Sequence, residues 1–240
     1  MADANLELLQ WAVDLLGPVA DEIVLVGGCA TGLLITDPAA APPRVTRDVD
    51  VIAAITTYAQ YHFTGDRLRK QGFQEDTSDE ALICRWKAGE LTLDLIPTNP
   101  SILGFGNRWF EAAYDDAVPT TLPSGRILRH VTAPYFMATK LLAFESRGGG
   151  DFTTSPDIED MVSVLDGRPA LPDEVACSKP ELRRFLAERF TELLTSETFL
   201  EALPGHLNPD EASQARVPLI LERARSIATS HPVLQPPSTQ

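Results

Sequence analysis

Along the first third of the chain the apolar positions change period several times. Leu8, Leu9, Ala12, Val13, Leu15 and Leu16 recur at helical spacing, which predicts a helix over residues 4 to 17, ended by Gly17 and Pro18. "EIVLVGG" reads as a short buried strand stopping at paired glycines, and "CATGLLITD" as its continuation into a helix. "PAAAPP" cannot be regular structure, because proline lacks the donor that helices and ladders need. "VDVIAAI" then predicts a strand, "YAQYHFTGDRLRKQG" a helix, and "ALICRWKAGELTLDLIP" a hairpin whose two alternating runs join at Ala88, Gly89 and Glu90. From about Ala133 the pattern is helical, with Pro134 suited to one first turn and Ser155–Pro156 to another.

These elements predict an α+β chain. Residues 1–125 are expected to form a domain with a small mixed β-sheet flanked by helices. Residues 126–232 are expected to form a helical C-terminal domain, followed by a frayed tail, 233–240. Residues 122 to 133, "LPSGRILRHVTA", are the expected link.

The strand period also isolates a candidate site. Side chains alternate across a strand, so Asp48, Asp50 and Ile52 share one face while Val49, Val51 and Ala53 share the other. In "LTLDLIP" the face of Thr92 and Ile96 carries Asp94. If the two strands are neighbours with their apolar faces aligned, three carboxylates meet. Such an oxygen-rich site suits magnesium, or manganese in its place, and two ions about 3.5–4 Å apart could clamp a nucleoside triphosphate. The plainer alternative is that Asp48 caps a turn, Asp50 pairs with Arg44 or Arg47, and Asp94 sits at an exposed edge. The missing side chains of Gly27 and Gly28 would let backbone N–H groups approach phosphate oxygens.

Composition narrows the class. The 240 residues include 44% hydrophobic and 22% charged residues, ordinary for a globular protein. No apolar run reaches the length of a membrane span. Cys29, Cys84 and Cys177, with four histidines, indicate neither a disulfide framework nor a zinc cluster, so a reducing cytoplasm is expected. A net charge of −14 argues against a protein that coats nucleic acid, and no DNA partner is expected.

Taken together, the Gly27–Gly28 turn, the Asp48-x-Asp50 pair and the later Asp94 resemble the DNA polymerase β-like nucleotidyltransferase superfamily. Gly28 stands where many members have a phosphate-binding serine. "ATKLLAFESRGGGDFTTSPDIEDMVSVLDGRPAL" is similar to the C-terminal motifs of AbiEii/AbiGii-type nucleotidyltransferases, toxins of bacterial toxin–antitoxin and phage-defence systems. The resemblance covers roughly residues 22 to 168 and implies magnesium-dependent transfer of a nucleoside monophosphate from an NTP such as ATP to an acceptor hydroxyl. That acceptor would be tRNA, another RNA or a protein, and an antitoxin would be a partner. It implies catalytic roles for Asp48, Asp50, Asp94 and Lys140 and for a downstream aspartate, Asp160 or Asp157, with Gly27, Gly28, Lys140, Arg147 and Asp157 binding nucleotide; Arg44 and Arg47 are expected either to steer the nucleotide at the cleft or to brace the aspartates. Two rival functions are an antibiotic-type transferase acting on a small molecule and a non-catalytic NTP- or partner-binding module.

Overall fold

A computed structural model describes residues 4–79, 81–147 and 150–230. The expected frayed tail, 233–240, lies outside the described residues. Helix α1 (Ala4–Leu16) buries Leu9, Ala12, Val13 and Leu16, and stops where Gly17 takes a φ of 53° that side-chain-bearing residues avoid. Strand β1 (Ile23–Val26) is buried on both faces, as its unbroken apolar run requires. A 3-10 turn at Gly28–Ala30 leads to a one-turn helix, α2 (Thr31–Leu34), and then to the proline-rich loop.

The helix expected through Asp37 is thus cut short. Past Ile35, the Thr36 N–H and Asp37 N–H donate to the Gly167 carbonyl at 2.8 and 2.9 Å instead of continuing the helix. Strand β2 (Asp48–Ala53) follows, then α3 (Tyr58–Lys70), whose start is fixed by a capping box between Thr57 and Gln60. After β3 (Gln74–Glu75) comes the expected hairpin, β4 (Arg85–Ala88) and β5 (Leu91–Pro97), turned at Gly89 with φ 59°. Helix α4 (Phe110–Asp115) precedes a second hairpin, β6 (Val118–Thr121) and β7 (Ile127–His130).

Among the described residues the strands form one seven-stranded mixed sheet in the order β3-β4-β5-β2-β1-β7-β6. β2 runs parallel to β5, and β1 parallel to β7; the other neighbours are antiparallel. The stretch read as a link, 122 to 133, therefore carries β7, which pairs beside β1.

The remainder is helical: α5 (Ala133–Ser146), α6 (Pro156–Gly167), α7 (Leu171–Ala176), α8 (Pro180–Thr195), α9 (Glu197–Ala202), α10 (Glu211–Gln214) and α11 (Val217–Ala228). Every residue of α5 from Ala133 to Leu141 is buried, because this helix packs on α6 and α8. One contiguous apolar cluster runs from Leu25 in the sheet through Phe136 of α5 to Phe190 of α8 and Ile227 of α11.

Arg216, at the start of α11, anchors that helix. It donates from Nε to Asp166 at 2.6 Å and from Nη2 to Asp37 at 2.6 Å. Asp166 is only 3% exposed, so Arg216→Ala would strand a buried carboxylate. The expected cost is about 3 kcal/mol, read as a lowered urea midpoint, because an unpaired buried charge is not resolvated.

Candidate active site

The parallel register of β2 and β5 places Asp50 directly beside Asp94, with Asp48 opposite Thr92. Asp48, Asp50 and Asp94 each offer an oxygen, and these atoms all lie within 4.8 Å of one another. The reverse face of the same strands is apolar, with Val49, Val51, Leu93 and Leu95 at most 2% exposed. Alternation thus sorts the two strands into a core face and an acid face. Of the plainer alternatives, an Asp50 pair with Arg44 or Arg47 does not form among the described residues. Asp94 is not at an exposed edge, being 2% exposed.

A residue that the sequence reading passed over sits in this cluster. Arg85 is the antiparallel partner of Asp94. Its guanidinium donates to both Asp94 oxygens, from Nε at 2.8 Å and Nη2 at 2.7 Å, and Nη2 lies 3.5 Å from Asp48 Oδ2. The signal was present in the hairpin itself. A turn at Gly89 and Glu90 pairs Ala88 with Leu91, and so Arg85 with Asp94. Asp50, by contrast, accepts no hydrogen bond among the described residues. Burial, with Asp48 and Asp94 close by, pushes its carboxyl up to about 7.

The glycine turn packs onto this carboxylate. Gly27 has φ 67°, and a Cβ there would lie 1.9 Å from Asp50 Oδ2, so neither the conformation nor the space admits a side chain. A Cβ on Gly28 would lie 2.7 Å from Arg44 Nη2 and 2.8 Å from Thr46 Cγ2. The position has no room for a serine while Arg44 is in place. The expected helix N-terminus does not begin at these glycines, since the 3-10 turn intervenes.

Behind the turn runs a chain of buried ion pairs. Arg44 grips Asp160 through Nε and Nη2, both at 2.9 Å. Lys140 Nζ donates to Asp160 at 2.6 Å and to Asp157 at 3.0 Å, and Arg147 Nη1 reaches Asp157 at 3.3 Å. Asp157, Asp160 and Lys140 are 2%, 1% and 7% exposed. Lys140, expected to bind the nucleotide, thus has its ammonium committed to two carboxylates. Asp160 does not line the cleft, and Arg47 is exposed and outside it. Asn5 on α1 fixes the approach to β2: its amide donates to the Arg44 carbonyl at 2.8 Å and accepts from Thr46 N–H at 2.9 Å.

A cleft of about 590 Å³ collects most of these groups. Asp48, Asp50, Asp94 and Asp157 line it together with Arg44, Arg85, Lys140 and Arg147. The lining is formally neutral inside a body of net charge −14. Apart from Asn107, Thr139 and Ser146 the rest of the wall is apolar, including Leu82, Ile96, Phe105 and Phe110, and Leu82 and Phe105 are 50% and 40% exposed.

Asp50 gives the cluster a pH signature. It binds a proton more tightly in the folded chain than at the ordinary value of 3.8. The resulting stabilisation is complete below about pH 4 and lost as pH rises through about 7. Between about pH 4 and pH 8 the metal-free wild type should lose roughly 2–4 kcal/mol more stability than Asp50→Asn. Urea unfolding at each pH measures this, and parallel profiles for the two proteins would show that Asp50 is not held protonated.

No protein-family model and no curated protein matches the chain. Two solved structures resemble it across nearly their whole length. One is a candidate nucleotidyltransferase from Helicobacter pylori, with TM-score 0.50, 11% identity, and coverage of 95% of this chain and 96% of that one. The other is JHP933 from Helicobacter pylori, with TM-score 0.50, 11% identity, and coverage of 95% and 93%. At this identity the likeness is one of fold: the chain shares its fold with these two proteins, the first of them described as a candidate nucleotidyltransferase.

Proposed function

We propose that the protein is a divalent-cation-dependent nucleotidyltransferase that moves a nucleoside monophosphate from an NTP to an acceptor hydroxyl, releasing pyrophosphate. The observation that carries this reading is the order of groups along the cleft. Val26 lies opposite Asp50 in an antiparallel pair, so the Gly27–Gly28 turn continues past Asp50 towards Asp48. β4 is antiparallel to β5, so Cys84 and Leu82 extend beyond Arg85 towards Ile96, and the Cys84 carbonyl accepts from Leu95 N–H at 2.9 Å. The carboxylates therefore stand between a glycine turn on one side and an apolar wall on the other. A nucleotide has the same order, with its β- and γ-phosphates, its α-phosphate and its nucleoside in sequence.

The residues fit a hard divalent cation, because the converging donors are all carboxylate oxygens. Asp48 and Asp50 would hold it; when bound, it would neutralise the triphosphate and the charge that develops on the leaving pyrophosphate. The chain's own part is to place and screen the reactants. Gly27 and Gly28 line the cleft with backbone, and Arg44 and Arg147 present cationic groups at its wall. The acceptor oxygen bonds to the α-phosphorus as the bond to the α–β bridging oxygen breaks, and pyrophosphate leaves with the electron pair. The hydroxyl proton passes to a carboxylate of the cluster.

The strongly acidic body disfavours a long polyanion, which supports a protein side chain or a small molecule over an RNA end as the source of the acceptor hydroxyl. The sequence resemblance adds a growth-inhibiting toxin as the biological setting of the proposal.

Incubation with each α-labelled NTP, magnesium and a cell lysate should transfer label to an acceptor. Asp48→Asn or Asp50→Asn should lower transfer by at least about 100-fold, the scale on which removing one electrostatic group from such a site acts. Undiminished transfer by either variant would sink this reading. Phe105→Ala should weaken NTP binding by roughly 5- to 100-fold, as loss of a stacked base does, while leaving tripolyphosphate binding unchanged. Equal losses for both ligands would place the nucleoside elsewhere.

A further inference from the structure

The three-carboxylate cluster contains its own cation. Asp94 gives both oxygens to Arg85, and the same guanidinium edge approaches Asp48. Bidentate pairing of this kind is strong and directional, and Arg85 is held in it by the strand register as well as by charge. With Arg85 in place, both Asp94 oxygens are already engaged by a cation, and a metal ion there would have to share them with the guanidinium and its positive charge. Asp50 has no hydrogen-bond donor among the described residues, and the Asp48 side chain is 41% exposed. Those two carboxylates are the open ones. The charges agree with the geometry: once a bound cation displaces the proton from Asp50, three carboxylates and one guanidinium leave two negative charges, which one divalent cation cancels.

We infer that Arg85 stands in for the second metal ion, so that the site takes a single divalent cation on Asp48 and Asp50 while the Arg85–Asp94 pair occupies the other half of the cluster. This rests on the nucleotidyltransferase reading and replaces the two-ion site that the sequence suggests. Arg85 is then a positioning residue: it fixes Asp94, and it sets how many cations the cluster admits. The guanidinium carries a permanent charge without needing an entry path, and its Nη1 forms no hydrogen bond among the described residues. That leaves a donor to meet an anionic oxygen of the substrate.

Manganese binding tests this, measured by electron paramagnetic resonance and calorimetry with a non-hydrolysable α,β-methylene NTP analogue present. Wild type should bind one Mn2+ per chain with the analogue. Arg85→Ala should bind two, the second at least about tenfold more tightly than any second ion in wild type, because a positive charge a few ångströms away has been removed. Should Arg85→Ala fail to fold, Arg85→Gln keeps the first part of the stem and a hydrogen-bond donor without the charge and gives the same test. Two ions in wild type would overturn the inference and leave the nucleotidyltransferase reading standing, as would one ion in a folded Arg85 variant. A wild type that binds neither manganese nor the analogue would overturn both.

Discussion

The parallel register of β2 and β5 is the constraint on which the site depends. It sets Asp50 against Asp94, an arrangement that is unfavourable by itself because two like charges are brought together out of bulk water. What enforces it is the other face of the same strands. Val49, Val51, Leu93 and Leu95 are buried there, and a slip of one residue would turn them outwards and drive the aspartates into the core. Hydrophobic burial on one face thus holds electrostatic tension on the other. The compensations follow from it: Arg85 neutralises Asp94, Asp50 keeps a proton to about pH 7, and Gly27 surrenders its side chain so that Asp50 can sit against backbone.

A second set of charges makes that arrangement rigid. Arg44, Asp160, Lys140, Asp157 and Arg147 form a continuous line of ion pairs joining the loop before β2 to α5 and α6. Such pairs add little net stability once desolvation is counted, but breaking one leaves an uncompensated charge, so they define geometry sharply. The line also changes which cations a phosphate would meet. Lys140 is enclosed by its two carboxylates, whereas Arg44 keeps 28% and Arg147 70% of its side chain exposed. Planar guanidinium groups that can bridge a carboxylate and a phosphate oxygen together suit this position better than a compact ammonium.

Much of this was legible in the chain because it is local. The alternation in "DVDVIAAI" and "LTLDLIP" gave both the strands and the odd face of Asp94, and the turn at Gly89 contained the Arg85 pairing. What was not legible is long-range or weakly patterned. The Val118–Thr121 and Ile127–His130 strands are short, largely exposed on the first and half-buried on the second, and proline interrupts one of them, so neither shows a clean period. Helix α2 was overestimated because its competitor, the Gly167 carbonyl, lies more than 130 residues away. Lys140, likewise, carries no mark that distinguishes a phosphate ligand from the partner of two carboxylates 17 and 20 residues on.

The C-terminal helices acquire a role from the same connections. Arg216 holds Asp166, and Arg223 of α11 donates to the Leu165 and Asp166 carbonyls, so the C-terminal turn of α6 is clamped from α11. The first turns of that same helix carry Asp157 and Asp160, which set Lys140, Arg147 and Arg44. A helix of 12 residues is stiff over this length, so fixing one end fixes the other. The packing of α11 therefore bears on the cleft through α6, with no contact between α11 and the carboxylates being needed. Side chains far beyond the acid face in sequence thereby determine where its cationic wall stands.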